Sequence, residues 1–210
     1  MRILVLSIAL LGCGLSGGET GSGTPKTETR EVGAFTKIAL EGALRADITA
    51  GAPQLVELSG DDNIVPLITT EVTDQRLRVA PKKRVSPKLE LVARIATPTL
   101  SAVSSSGSGA VNVTGIAGDS FDLRTSGSAK IVARGTTKKL TIDVSGAATI
   151  DAKELAAQDV TINVSGSGEL DVRASGHLEV QISGSGTVRY YGNPTDVKKS
   201  ITGSGTVEAR

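Results

Sequence analysis

From about residue 100 the chain alternates apolar and polar residues with a period of two. Val160, Ile162, Val164, Leu170 and Val172 share one phase, while Thr161, Asn163 and Ser165 occupy the other. Such alternation predicts strands with one buried face. The alternation is punctuated by a recurring Ser/Thr-Gly-Ser/Ala-Gly/Ala signature. Its first glycine falls at Gly107, Gly127, Gly146, Gly166, Gly184 and Gly203, at intervals of 20, 19, 20, 18 and 19 residues. Four residues after that glycine stand Val111, Ile131, Ile150, Leu170, Val188 and Val207; four before it stand Val103, Leu123, Ile142, Ile162, Val180 and Lys199.

The glycines keep the apolar phase, so they belong to the strands and are not linkers between them. Glycine within a strand costs about 0.5–1 kcal/mol relative to alanine, so the six positions predict tight corners without room for a side chain. Short turns are expected between the bent strands, at 114–119, 134–138, 153–159 and 173–176. One bent strand plus one turn makes a rung of about 20 residues. Stacked rungs predict an all-β, parallel, right-handed β-solenoid, each rung burying its apolar face against its neighbours. Six rungs at ~4.8 Å would rise about 29 Å. A hairpin sandwich is disfavoured because the repeat region has no Asn-Gly or Asp-Gly turn. Residues 31–100 read as diverged or capping rungs, with Gly42 and Gly60 as further corners. The run Lys82-Lys83-Arg84, between Pro81 and Pro87, reads as a protruding loop. Tyr190-Tyr191-Gly192-Asn193-Pro194 interrupts the pattern near the other end.

The first dozen residues follow a different logic. Met1-Arg2 precedes the apolar run Ile3 to Leu11, too short for a membrane span of roughly 20 residues and suited to a removed secretory signal. Leu10-Leu11-Gly12-Cys13 resembles the bacterial lipobox, which implies cleavage after Gly12 and diacylation of Cys13. Gly14 to Pro25 is rich in Gly, Ser and Thr and is expected to be a flexible coil. The resulting division is a signal peptide over 1–12, a tether over 13–30 and a head domain over 31–210.

Composition removes several chemistries. The 210 residues carry 23 Lys+Arg against 22 Asp+Glu, one His, one Cys, no Trp and 2% aromatics. A near-neutral chain has no electrostatic reason to bind nucleic acid. One cysteine and one histidine cannot build a cysteine-rich zinc site, a disulfide scaffold or a histidine-dependent triad that needs a second His or Cys partner. No phosphate loop or dinucleotide fingerprint is present, and no cofactor is expected. His177 reads as a solvated turn histidine.

One outward column holds chemistry. Asp151, Asp171, Arg189 and Glu208 occupy equivalent positions in successive repeats. Stacked carboxylates about 5 Å apart suggest Ca²⁺, and acids beside an arginine suggest a carbohydrate-active enzyme. Arg189 can equally neutralise Asp171 as part of a surface ladder.

Several landmarks together resemble the auto-transporter adhesin head GIN domain family of bacterial envelope proteins. They are Gly33-Ala34-Phe35-Thr36-Lys37-Ile38, Ser59-Gly60-Asp61-Asp62-Asn63, the serial Ser-Gly-Ser-Gly motifs, and Tyr191-Gly192-Asn193-Pro194 through Ser204-Gly205. The resemblance covers about residues 31–210, with Ala147-Ala148 as a departure from the motif. It implies an exported solenoid head and brings no catalytic residues. The leading expectation is therefore a non-enzymatic, lipid-anchored adhesive or binding module of the cell envelope. Its partners would be the membrane, through Cys13, and a surface protein or polysaccharide. The alternatives are the calcium-dependent or carbohydrate-active enzyme, and a structural component that self-associates through its strand edges.

Overall fold

The computed structural model describes residues 18–210. The expected signal peptide and Cys13 lie outside the described residues. Eighteen strands and one short 3-10 turn make up the fold. They are β1 (Glu19–Thr20), β2 (Pro25–Thr29), β3 (Lys37–Glu41), β4 (Arg45–Ala50), β5 (Leu55–Asp61), the turn Val65–Leu67, β6 (Ile68–Thr73), β7 (Arg76–Pro81), β8 (Val85–Ser86) and β9 (Val92–Thr97). The repeats follow as β10 (Ala102–Gly107), β11 (Ala110–Gly127), β12 (Lys130–Gly146), β13 (Thr149–Gly166), β14 (Glu169–Ala174), β15 (His177–Gly184), β16 (Thr187–Tyr191), β17 (Asp196–Gly203) and β18 (Thr206–Ala209).

Parallel pairing stacks these strands into a β-solenoid of about five turns. One face runs β7, β3, β10, the C-terminal halves of β11, β12 and β13, then β15 and β17. A second face runs β9, β4, the N-terminal halves of β11 to β13, then β14, β16 and β18. The six motif glycines are register partners from Gly107 to Gly203, so they form one column at the corner between the faces. The apolar positions expected to face inward do so: Leu123, Ile142, Ile162, Val180, Ile131, Ile150 and Leu170 are fully or almost fully buried.

At the first corner a Cβ on either Gly107 or Gly109 would meet a stacked backbone carbonyl, but at later corners the two small positions are small for different reasons. Gly166 has φ of +129°, and a Cβ there would run into the carbonyl of Gly146 in the rung below. The constraint is vertical, between stacked backbones, and not a lack of space in the core. Gly168 faces inward, where a Cβ would stand 3.0 Å from Val144 Cγ1. Its equivalents in earlier rungs are Ala129 and Ala148, both buried, so a methyl group fits there.

Four expectations need correction or refinement. Three of the segments expected as turns, 114–119, 134–138 and 153–159, are a third, short stacked side, whereas Ser175-Gly176 is a bend between β14 and β15. Ile116, Gly135 and Leu155 continue the ladder after a register shift, and Ile116 and Leu155 point into the core. Gly42 is a true corner, its φ +87° and its carbonyl beneath Gly107. Gly60 is not: it lies inside β5, paired antiparallel with Lys26 of β2. Residues 31–100 contribute both rungs and a cap. β3 with β4 makes a rung, whereas β5 and β2 add antiparallel to one face and β6 to the other, covering the N-terminal end.

The fourth correction concerns the tether. From Gly18 onward the residues expected to be flexible are docked. β1 pairs with β8 and β2 with β5. The clasp is the Asp61-Asp62-Asn63 motif. Asp61, fully buried, accepts the backbone N–H groups of Gly23 at 2.6 Å, Lys88 at 2.9 Å and Leu89 at 3.0 Å. Asn63 accepts the Ser22 N–H and donates to the Thr20 carbonyl, while Ser22 Oγ donates to Asp62. Composition predicts a coil because glycine and serine bury no core. The segment is ordered by polar contacts with residues some forty positions away.

Candidate functional site

The first face bends so that a groove of about 570 Å³ runs across it, crossing six rungs from Ser104 to Ser200. Three rows of residues, defined by their distance before the motif glycine, line it. The residue three before is Ser104, Arg124, Asp143, Asn163, Gln181 or Ser200; the residue one before is Ser126, Ser145, Ser165, Ser183 or Thr202. Between them lie Ser105, Thr125, Val144, Val164 and Ile182, which keep 3–5% exposure where the neighbouring inward column keeps none.

The walls differ chemically. On one side Asp143 is held from both directions: Arg124 Nε lies 3.1 Å from Oδ2, and Asn163 Nδ2 donates to Oδ1 at 2.9 Å. Charge on this wall is internally matched. On the other side the hydroxyls of Ser126, Ser145, Ser165 and Ser183 make no hydrogen bond among the described residues. One Ser/Thr hydroxyl pair links two rungs, Thr206 to Thr187 at 3.3 Å on the second face. A column of serines spaced about one rung apart, roughly 4.8 Å, therefore faces the groove with donors and acceptors free.

The outward column on the second face assembles as the spacing predicts, with Asp151, Asp171, Arg189 and Glu208 as successive register partners. Each acid already has a cation nearby. Lys153 Nζ is 3.2 Å from Asp151, and Arg189 Nη1 is 2.6 Å from Glu169 and 3.7 Å from Asp171 Oδ1. The hydrogen bond from Lys153 to Asp151 raises the lysine pKa, with smaller contributions from Asp171 and Tyr191. Arg189 is likewise raised, chiefly by its hydrogen bond to Glu169. Ca²⁺ takes six to eight oxygens, and no group of three or more metal-ligating side chains converges among the described residues. Its residues are a surface ion-pair ladder.

His177 is half-buried at the start of β15, where its Nδ1 lies 2.8 Å from Asp196 Oδ2 on the next rung and its N–H donates to Asp159. It braces two rungs.

The comparisons with known proteins fit this geometry. A family model described as "Putative auto-transporter adhesin, head GIN domain" matches residues 34–194, well over half of the chain. The chain belongs to this family. Among solved structures, an adhesin-named protein from Bacteroides fragilis NCTC 9343 superposes with a TM-score of 0.76 at 24% identity, covering 92% of this chain and 100% of that one. A protein from Parabacteroides distasonis ATCC 8503, whose description reads "Putative lipid binding protein", gives 0.58 at 21% identity, with coverage of 92% and 100%. An adhesin-named protein from Parabacteroides merdae ATCC 43184 gives 0.54 at 20%, with coverage of 91% and 98%. At these identities the likeness carries the fold alone. No curated protein matches the sequence. The GIN-domain family and these neighbours bear the names of adhesins or lipid-binding proteins, and none is named as an enzyme.

The groove was the feature missed by sequence reasoning. The signal was present, because Ser or Thr precedes the first glycine in every repeat. What the sequence does not state is that these hydroxyls stay unpaired and that the strand bends toward them.

Proposed function

We propose that this GIN-domain protein is a non-catalytic adhesive module of the bacterial cell envelope, anchored through diacylated Cys13, and that its groove holds an extended, uncharged polar chain such as a strand of neutral polysaccharide. The observation that carries the reading is the row of unpaired serine hydroxyls beside an apolar floor of Val144, Val164 and Ile182. A hydroxylated chain lying along the solenoid axis would meet one hydrogen-bonding group per rung. The charge-matched opposite wall offers no net attraction to an ion. Hydrophobic and aromatic linings are the usual basis of small-molecule pockets, and this groove has no aromatic residue; it suits many weak, repeated contacts along a polymer.

The anchoring part of the proposal rests on Leu10-Leu11-Gly12-Cys13 and the apolar run before it. Metabolic labelling with a fatty acid should mark the wild-type chain and not the Cys13→Ala variant, and equal labelling of the two, or none in either, would end that claim. For the groove, purified protein is screened against immobilised neutral polysaccharides and surface proteins, beside a Ser165→Trp variant. Ser165 is exposed, so the indole fills the groove without entering the core. Loss of binding in that variant with an unchanged melting temperature is the expected result. Binding only to proteins, or equal binding by the variant, would refute the polysaccharide assignment.

A further inference from the structure

The docked leader places a cationic cluster at the point where the described chain begins. Gly18 packs against Arg84, the Glu19 N–H donates to the Arg84 carbonyl at 2.9 Å, and the Gly21 N–H donates to the Ser86 carbonyl at 2.9 Å. The run Lys82-Lys83-Arg84 and nearby Lys88 are all exposed. Lys88 is fastened to the same clasp through its backbone N–H on Asp61. Of the acids of this region Glu19 and Glu90 are paired with cations, while Asp61 and Asp62 accept from neutral donors and keep their charge. Asp61 is buried among backbone donors, Asp62 is bonded by Ser22, Glu19 lies 2.9 Å from Lys83 Nζ, and Glu90 faces Arg45 at 3.9 Å. Lys82, Arg84 and Lys88 have no carboxylate partner among the described residues. These three exposed cations outnumber the two neighbouring carboxylates, Asp61 and Asp62, that no cation pairs.

We infer that Lys82, Lys83, Arg84 and Lys88 form a second membrane contact, docking the capped end of the solenoid on an anionic lipid surface. The inference rests on the envelope-anchor reading for its biological setting but not for its chemistry. Four residues lie between Cys13 and Gly18, a reach of at most about 18 Å when fully extended. An acylated Cys13 would therefore hold Arg84 close to the headgroups, where electrostatic attraction persists over roughly 8 Å at physiological salt. Stable anchoring generally combines an acyl chain with a second signal such as a basic patch. The clasp makes that patch rigid: the leader cannot swing the head away, because Asp61, Asp62 and Asn63 pin it beside the cations. The composition of 13–30 argues for a long flexible stalk. The docked strands shorten it and set the solenoid upright on its capped end.

The test uses the full chain carrying Cys13→Ala, which removes acylation, and vesicles of phosphatidylcholine with or without phosphatidylglycerol. Any contribution of the apolar leader is common to both vesicles. Binding should favour the anionic vesicles by at least about tenfold at low salt, given three or four cations near the surface. The preference should vanish in high salt and in the Lys82→Gln/Arg84→Gln/Lys88→Gln variant. That variant leaves the Lys83–Glu19 pair and the clasp intact, and an unchanged melting temperature confirms its fold. No preference for anionic vesicles, or a preference that survives the triple substitution, overturns the inference. Binding to a soluble polyanion such as heparin but not to vesicles overturns it too. Failure of Cys13 acylation in cells would sink the anchor reading while leaving the vesicle result readable.

Discussion

The carbonyl oxygen of Gly146 occupies the space where a Cβ on Gly166 would have to lie, and it accepts the Ser167 N–H at 2.9 Å. The same relationship links Gly127 to Gly107, Gly184 to Gly166 and Gly203 to Gly184. Stacking rungs at backbone contact thus demands glycine at one point per turn, whatever fills the core.

The corner makes a paired prediction. Gly166→Ala forces a side chain into a φ of +129° and against the stacked backbone, so it should cost about 1–3 kcal/mol. Gly168→Ala needs only a small shift of Val144, and alanine already sits at 129 and 148; it should cost under about 1 kcal/mol. Chemical denaturation of both variants decides the point, and equal losses would contradict the vertical constraint.

The open end suggests a second experiment. Lys199 stands at the inward column of the last rung, as register partner of Val180. Its Nζ reaches across to the Val207 carbonyl at 3.1 Å and lies 5.2 Å from the Tyr190 ring centroid. A charge turned inward on a terminal strand discourages edge-to-edge pairing. Lys199→Val should make the sedimentation coefficient rise with concentration, while the wild-type chain stays monomeric. Identical behaviour of the two would show that the end is protected by something else.

Acid should open the leader clasp. Burial of Asp61 alone would raise its pKa, but backbone donors from Leu89, Gly23 and Lys88 outweigh it and hold the carboxyl below its usual value. A group depressed in the folded state stabilises above its unfolded pKa, and that contribution is lost as pH falls through the folded value. Limited proteolysis at residues 18–29 should therefore accelerate only in strong acid. Asp61→Asn should be cleaved readily at neutral pH with little further change on acidification. A neutral-pH profile matching wild type would remove the clasp from the account.

The carboxylate ladder gives a negative prediction. With Lys153 on Asp151 and Arg189 beside Asp171, millimolar-range calcium should leave the melting temperature unchanged, and Asp171→Asn should respond no differently. A calcium-dependent rise abolished by that substitution would restore the metal reading.

The solenoid was legible because its two governing constraints are periodic. Inward aliphatics repeat at fixed offsets from a glycine that backbone stacking requires, and both facts are local to one rung. Those same offsets placed Asp151 beside Asp171 before any coordinates. The third side was misread as turns because Gly115 and Gly135 look like loop residues, although the ladder passes through them with only a register shift. The groove and the leader clasp were hidden for a different reason. Whether Ser165 bonds a neighbour, or whether Asp61 captures the N–H of Gly23, depends on how the chain brings separate elements to one place. Repeat length, inside and outside phase and corner positions can be read from the order of residues, because they follow from steric and hydrophobic rules within and between adjacent rungs. Tertiary structure alone decided the antiparallel cap, the docked leader beside Arg84 and the unpaired serine row, because polar groups choose partners by three-dimensional proximity and leave no periodic trace.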